Sequence, residues 1–88
     1  NGICVDVNDE EILRAQKEIA MNEGLFVEPS SAASLAAIKK IMQVKELKNQ
    51  SVLLLLTGHG LKDMKSIAEQ EDDILCIDPD INALKKLL

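Results

Sequence analysis

Aromatic residues are almost absent from this sequence of 88 residues, which contains no tryptophan, no tyrosine and a single phenylalanine, Phe26. Proteins that bind single-stranded nucleic acids stack the bases on aromatic side chains. The formal net charge of −5 adds electrostatic repulsion from phosphate groups. Both features argue against a nucleic-acid-binding function, and we expect no nucleic-acid partner.

Long hydrophobic runs are also missing, since the longest one covers only residues 52–56. A membrane-spanning helix needs about 20 consecutive apolar residues. The sequence shows no signal-peptide pattern either. We therefore predict a cytoplasmic protein without a membrane partner. Because the first residue is Asn1 rather than methionine, we expect that the parent protein has further sequence upstream.

Residues that bind metals or form redox pairs are scarce. His59 is the only histidine, so a histidine-based metal cluster cannot form. The two cysteines, Cys4 and Cys76, are far apart and lack the close spacing of a metal or redox motif. We predict no metal site, and we interpret both cysteines as buried, reduced thiols in the cytosol.

The chain is organised around residues 51–63, SVLLLLTGHGLKD. The apolar run 52–56 is typical of a central parallel strand that helices cover on both faces. Thr57, Gly58, His59 and Gly60 then interrupt it, and two glycines let the backbone turn sharply and a ligand approach closely. Ligands of open α/β sheets bind beyond the carboxyl ends of the strands. Thr57 is therefore the first candidate for a binding residue.

The remaining pattern alternates between strands and helices. Residues 2–7 predict a strand, and Asn8 with Glu11 predicts a capping box that starts a helix ending at Gly24. After a short extended segment at residues 25–27, Ser30 or Ser31 is expected to cap a second helix reaching residue 42. The small residues in its first two turns indicate that something packs very close there.

The C-terminal part of the sequence continues this alternation. We expect a short helix at residues 64–70 and a strand at residues 74–77. Asp78 is expected to cap the last helix, with Pro79 in its first position. The order of elements predicts an α/β fold with a layered, mainly parallel sheet and flanking helices. Residues 1–88 show no linker and no repeat, and we interpret them as one domain or part of one.

Several polar groups could bind a ligand or have a purely structural role. Glu28 and the serine-rich helix start could bind an anion, although plain helix capping explains the same residues. His59 could contact a ligand, but a single loop histidine is more often incidental. We interpret the acidic residues as structural and Lys62 as an ordinary solvated lysine; the acidic set comprises Asp6, Asp78 and Asp80. The sequence contains no phosphate-loop motif and no nucleophile–base pair.

Three stretches resemble the threonine synthases, which are pyridoxal-phosphate enzymes of the tryptophan-synthase-β type. The stretches are VNDEEILRA at residues 7–15, EGLFVEPSSAASL at residues 23–35 and LTGHGLKD at residues 56–63. The resemblance implies that residues 1–88 are the C-terminal segment of the larger, cofactor-binding α/β domain of a two-domain enzyme. Such enzymes convert O-phosphohomoserine and water to threonine and phosphate with pyridoxal phosphate.

The resemblance also implies roles for individual residues. Thr57 corresponds to the hydroxyl residue that meets the pyridine nitrogen of the cofactor. Gly58, the next residue, belongs to the same cofactor-binding segment. Glu28 corresponds to a glutamate near the cofactor ring. The lysine that binds the cofactor covalently and the phosphate-binding loop belong to upstream sequence in this family. We therefore expect no catalytic residue here and an inactive isolated chain. His59 stands where relatives often have asparagine, and no role is carried over to it.

Two other functions fit the same residues. A serine/threonine dehydratase of the same family shares the Glu28-Pro29 and Thr57-Gly58 features, while the LTGHGLKD run favours the synthase. A free-standing, non-catalytic regulatory or assembly module is the alternative from a different class. For the enzyme fragment we expect the rest of the parent enzyme as partner and an amino-acid substrate in the whole enzyme. We also expect a homo-oligomer, because an uncovered strand invites pairing.

Overall fold

Helices form most of the regular structure in the computed structural model, which describes residues 2–65 and 76–88. Helix α1 covers Asp9–Glu23 and helix α2 covers Pro29–Met42. A short 3-10 helix follows at Gly60–Lys62, and helix α3 covers Ile81–Lys85. The packing of α1 against α2 is the main tertiary interaction between these elements.

Helix α1 begins and ends at the residues that the sequence predicts. The Asn8 side chain accepts a hydrogen bond from the Glu11 amide at 2.8 Å, and the Glu11 carboxylate accepts one from the Asn8 amide at 2.8 Å. This reciprocal pair is the predicted capping box. Gly24 ends the helix with a φ of 67°, in the left-handed region that glycine adopts without strain.

Helix α2 begins earlier than predicted. Its N-cap is Glu28, whose side chain makes no capping hydrogen bond, and Pro29 is the first helical residue. The prediction that Ser30 or Ser31 caps this helix is therefore wrong. The fixed φ of proline suits the first helical turn, so the helix starts at Pro29 and both serines lie inside it.

Helix α3, in contrast, starts later than predicted. Asp80 is its N-cap, without a side-chain hydrogen bond, and Asp78 and Pro79 precede the helix. The prediction of Asp78 as the cap is therefore wrong. The backbone carbonyl of Asp78 instead accepts a hydrogen bond from the Asp80 amide at 2.7 Å, which forms a tight turn before the helix.

The core lies where α1, α2 and the segment between them meet. Its buried members are small or branched apolar residues: Ala15, Ile19, Val27, Ala32 and Ala36. Four partly buried residues pack against them: Val7, Ile12, Leu35 and Leu56. Alanines in α2 let the two helices approach closely, which accounts for the small residues noted in its sequence.

One buried polar group connects α1 to the segment before α2. Gln16 is 4% exposed, and its Nε2 donates a hydrogen bond to the carbonyl oxygen of Val27 at 2.7 Å. A buried carbonyl that lacks a partner is costly, so this bond fixes Val27 relative to α1. Val27 lies directly before Glu28, and Gln16 thereby helps to hold one of the candidate site residues.

Backbone pairing between extended segments is limited to a single bridge in the two described ranges. Val27 and His59 form an isolated antiparallel bridge. The apolar run at residues 52–56 is extended but has no strand partner within residues 2–65 and 76–88. The parallel sheet consequently stays a prediction about a larger domain. The predicted helix at residues 64–70 and strand at residues 74–77 lie partly outside the described residues.

Large apolar side chains are exposed along this unpaired run. The exposed fractions are 49% for Val52, 92% for Leu53 and 73% for Leu55.

Cys4 and Cys76 are exposed as well. The prediction of buried thiols is therefore wrong for this chain, because its described part contains no sheet that covers them. The radius of gyration is 17.8 Å, against about 12 Å for a compact domain of this length. None of the helices among the described residues is long and apolar enough to span a membrane.

We expect Gln16→Leu to lower the free energy of unfolding by about 1–3 kcal/mol, because it leaves the Val27 carbonyl buried without a donor. Urea denaturation followed by circular dichroism measures this loss. Asn22→Leu replaces an exposed amide on the same helix and is the matched control, with an expected change within about 0.5 kcal/mol. An equal loss in both variants would contradict the role assigned to Gln16.

Candidate functional site

The glycine-containing turn at residues 57–60 lies against the segment that leads into α2. The Gly60 amide donates a hydrogen bond to the Phe26 carbonyl at 3.0 Å, and the Glu28 amide donates one to the Gly58 carbonyl at 3.0 Å. These two bonds flank the bridge between Val27 and His59. Backbone hydrogen bonds thus hold the turn antiparallel to residues 26–28, which lead into α2.

Ser31 holds the first half of this turn with its side chain. Its Oγ accepts hydrogen bonds from the backbone amides of Thr57 at 3.0 Å and Gly58 at 2.9 Å. The same oxygen lies 3.4 Å from Thr57 Oγ1. Ser31 is 2% exposed whereas Thr57 is exposed. A buried hydroxyl therefore anchors the exposed residue Thr57.

Glu28 lies beside Gly58 and is largely buried. Its side chain is 13% exposed, and its carboxylate lies 3.4 Å from the Nζ atom of Lys62, whose side chain is 74% exposed. An ion pair with one such exposed partner contributes little stability. A methyl group on Gly58 would overlap the Glu28 carboxylate. The absence of a side chain at residue 58 is what lets the carboxylate occupy this position.

His59 has a structural role in the turn. Its Nδ1 accepts a hydrogen bond from the Leu61 amide at 3.1 Å, which caps the 3-10 helix. Its ring meets the Phe26 ring edge-on, with the centroids 5.9 Å apart. Gly60 is buried under the same phenylalanine, since an added Cβ would lie 2.6 Å from the Phe26 ring. Both contacts fix the end of the turn that lies farther from Thr57.

The structure brings together the three site residues that the resemblance to the threonine synthases implied, namely Glu28, Thr57 and Gly58. The acidic residues interpreted as structural lie elsewhere: the backbone carbonyl of Asp6 accepts a hydrogen bond from Lys40 at 2.8 Å, and Asp78 and Asp80 precede α3. No group of three or more metal-binding side chains that could hold a metal ion occurs in the described part of the chain.

Ser31 is the site residue whose role the sequence reasoning missed. Its position after Pro29 suggested a helix cap, and capping is a local property that a sequence shows directly. Its hydrogen bonds to Thr57 and Gly58 join residues 26 and 27 positions apart, which no local pattern reveals. The available signal was the run of small residues at the start of α2, which indicated a close approach by another segment.

Known proteins resemble the chain over most of its length. Residues 1–58 match a family described as pyridoxal-phosphate dependent enzyme. A threonine synthase of Methanocaldococcus jannaschii is 40% identical over 88 residues, which are 99% of this chain and 22% of that protein. The threonine synthase of Methanosarcina acetivorans is 36% identical over 88 residues, which are also 99% of this chain and 22% of that protein. That of Bacillus sp. (strain ULM1) is 44% identical over 90% of this chain and 23% of its own length. The chain thus spans about a fifth of these curated relatives.

We expect Gly60→Ala to lower the free energy of unfolding by about 1–3 kcal/mol, because the new methyl group overlaps the Phe26 ring and forces either the ring or the turn to move. Gly2→Ala is the matched control, since nothing lies within 4 Å of a Cβ at Gly2. Urea denaturation of both variants measures the difference. A Gly60→Ala protein as stable as Gly2→Ala would show that the turn does not pack on Phe26.

Proposed function

The chain belongs to the family of pyridoxal-phosphate dependent enzymes, and we propose that it is the C-terminal part of a threonine synthase. In this proposal the whole enzyme converts O-phosphohomoserine and water to threonine and phosphate, and this chain forms one wall of its cofactor site. The observation that carries the proposal is that the Glu28 carboxylate at the start of α2 lies against Gly58, next to the exposed residue Thr57. The similarity to three threonine synthases supports the choice of reaction.

The chemistry of this turn suits the ring of pyridoxal phosphate. Thr57 offers a neutral hydroxyl, which can donate a hydrogen bond to an aromatic nitrogen. Gly58 leaves room beside it, and Glu28 adds a largely buried carboxylate. We therefore assign Thr57 to the pyridine nitrogen, with Gly58 and Glu28 near the ring.

The phosphate group of the cofactor is better held by another part of the enzyme. Four amides of the turn region are already used inside the chain: Ser31 binds those of Thr57 and Gly58, Phe26 binds that of Gly60, and His59 binds that of Leu61. A phosphate cradle needs several free amides. The upstream remainder of the parent enzyme would supply that cradle, as well as the lysine that binds the cofactor.

The neutral side chain of Thr57 sets the expected reactivity. Pyridoxal phosphate, when bound, supplies an electron sink for the substrate carbanion. A carboxylate facing the ring nitrogen would hold it protonated, whereas the hydroxyl of Thr57 cannot enforce that charge. Thr57 therefore keeps electron withdrawal mild, which suits elimination and replacement reactions over transamination.

The unpaired segments are consistent with a place in a larger α/β domain. The exposed apolar run at residues 52–56 and the large radius of gyration indicate surfaces that a compact enzyme would cover. We propose that neighbouring strands of the parent sheet pair with this run on its open edges. We further propose that the whole enzyme, a lyase acting in the cytoplasm, assembles as a homo-oligomer.

We expect the 88-residue chain alone to form no threonine from O-phosphohomoserine and to bind pyridoxal phosphate weakly or not at all. The turn offers one hydroxyl but few free amides, and covalent anchoring requires a lysine that the parent supplies. Borohydride reduction followed by mass spectrometry checks this, with the longer protein that contains this chain as the positive control. A stoichiometric pyridoxyl adduct on one lysine of the short chain, together with turnover, would refute the expectation.

We expect Thr57→Val in the longer protein to weaken cofactor binding by roughly 1 kcal/mol, the contribution of one hydrogen bond. Thr57→Asp should instead bring a proton onto the ring nitrogen, change the absorption spectrum of the bound cofactor and increase transamination relative to threonine formation. Spectra and product ratios of both variants measure these effects. If Thr57→Asp keeps the spectrum and product ratio of the unchanged enzyme, Thr57 does not face the ring nitrogen.

A further inference from the structure

We propose that Ser31 is a positioning residue that sets the direction of the Thr57 hydroxyl proton, so that Thr57 acts as a hydrogen-bond donor to its ligand. The inference rests on the proposed function for the identity of that ligand, the ring nitrogen of pyridoxal phosphate. It goes beyond that function because it assigns a role to a buried residue of α2 that does not itself face the accessible side of the turn.

The Ser31 hydroxyl already accepts two hydrogen bonds. A serine hydroxyl has two acceptor lone pairs and one proton to donate. Both lone pairs are used, since Oγ accepts from the amides of Thr57 and Gly58 at 3.0 and 2.9 Å. Any hydrogen bond across the 3.4 Å between Ser31 Oγ and Thr57 Oγ1 is then left for the Ser31 proton to make. Ser31 is the donor in this contact and Thr57 the acceptor.

Ser31 and Thr57 differ in burial. Ser31 is 2% exposed, so water has little access to its hydroxyl. Each buried side-chain polar atom in the described ranges has at least one hydrogen-bond partner. Thr57, in contrast, is exposed. Its own proton is therefore free to point away from Ser31, toward the side where a ligand can approach.

The hydrogen bond that Thr57 accepts affects the strength of the bond that it donates. A hydroxyl that accepts a hydrogen bond becomes a better donor, because successive hydrogen bonds polarise one another. The chain of donors from Ser31 through Thr57 therefore favours a ligand atom with a free lone pair. An unprotonated aromatic nitrogen is such an atom, whereas a protonated aromatic nitrogen is itself a donor and has no lone pair to accept the bond.

The first part of the test examines the 88-residue chain without any ligand. We expect Ser31→Ala to speed amide hydrogen exchange at Thr57 and Gly58 by about fivefold, the factor for loss of one ordinary hydrogen bond. Ser30→Ala is the matched control, because Ser30 is the exposed neighbour in the same helix turn, and it should leave both rates unchanged. Equal rates in Ser31→Ala and Ser30→Ala would overturn the proposal. If Ser31→Ala does not fold, Ser31→Cys replaces the hydroxyl by a thiol, a weaker donor and acceptor. It should also speed exchange at Thr57 and Gly58, and rates equal to those of Ser30→Ala would overturn the proposal.

The second part uses the longer protein with pyridoxal phosphate labelled with ¹⁵N in the ring. We expect Ser31→Ala to move the ring-nitrogen NMR signal toward that of a pyridine nitrogen without a hydrogen bond. The same substitution should have no further effect on the signal in a Thr57→Val background. A residue that only stabilised the fold would leave the signal unchanged in the first case or shift it equally in both.

The outcomes separate this inference from the function on which it rests. If Thr57→Val moves the nitrogen signal but Ser31→Ala does not, Thr57 faces the ring and only the role of Ser31 is overturned. If neither variant moves the signal, Thr57 does not face the ring nitrogen, and both the placement of the cofactor and this inference fail. A shift in Ser31→Ala that disappears in the Thr57→Val background supports both.

Discussion

A single buried hydroxyl joins the start of α2 to the turn that follows the apolar run. Ser31 Oγ accepts hydrogen bonds from two backbone amides of that turn and lies 3.4 Å from the hydroxyl oxygen of Thr57. The bridge between Val27 and His59 and the bonds around it hold the same two segments from the other side. Without these contacts, Glu28 and Thr57 would belong to separate parts of the chain, and the candidate site would not exist.

The parts of the fold that depend on near neighbours in sequence could be predicted. Asn8 and Glu11 lie three residues apart, so a capping box is visible in the sequence and α1 starts where expected. Gly24 ends that helix because glycine adopts a left-handed conformation without strain. The grouping of Glu28, Thr57 and Gly58 came from resemblance to a family, and the structure places the three side by side.

The parts that depend on distant contacts could not be predicted from this sequence. Serine is a residue type that often caps helices, but α2 starts at Pro29, so Ser31 lies inside the helix. Its hydroxyl accepts a hydrogen bond from the Thr57 amide instead. The burial expected for Cys4 and Cys76 requires strands on both sides, and the described chain offers none to them. Both differences have the same cause. A local sequence pattern predicts the conformation that a segment favours, whereas its contacts depend on segments that are distant in the sequence.

The central claim is that this chain presents the Thr57 hydroxyl to the ring nitrogen of pyridoxal phosphate. A crystal structure of the longer protein with the cofactor bound tests it most directly. The account predicts Thr57 Oγ1 at hydrogen-bonding distance from the ring nitrogen, about 2.8 Å, with Ser31 still bonded to the amides of Thr57 and Gly58. A ring nitrogen that faces a carboxylate, or a cofactor bound away from this turn, would contradict it.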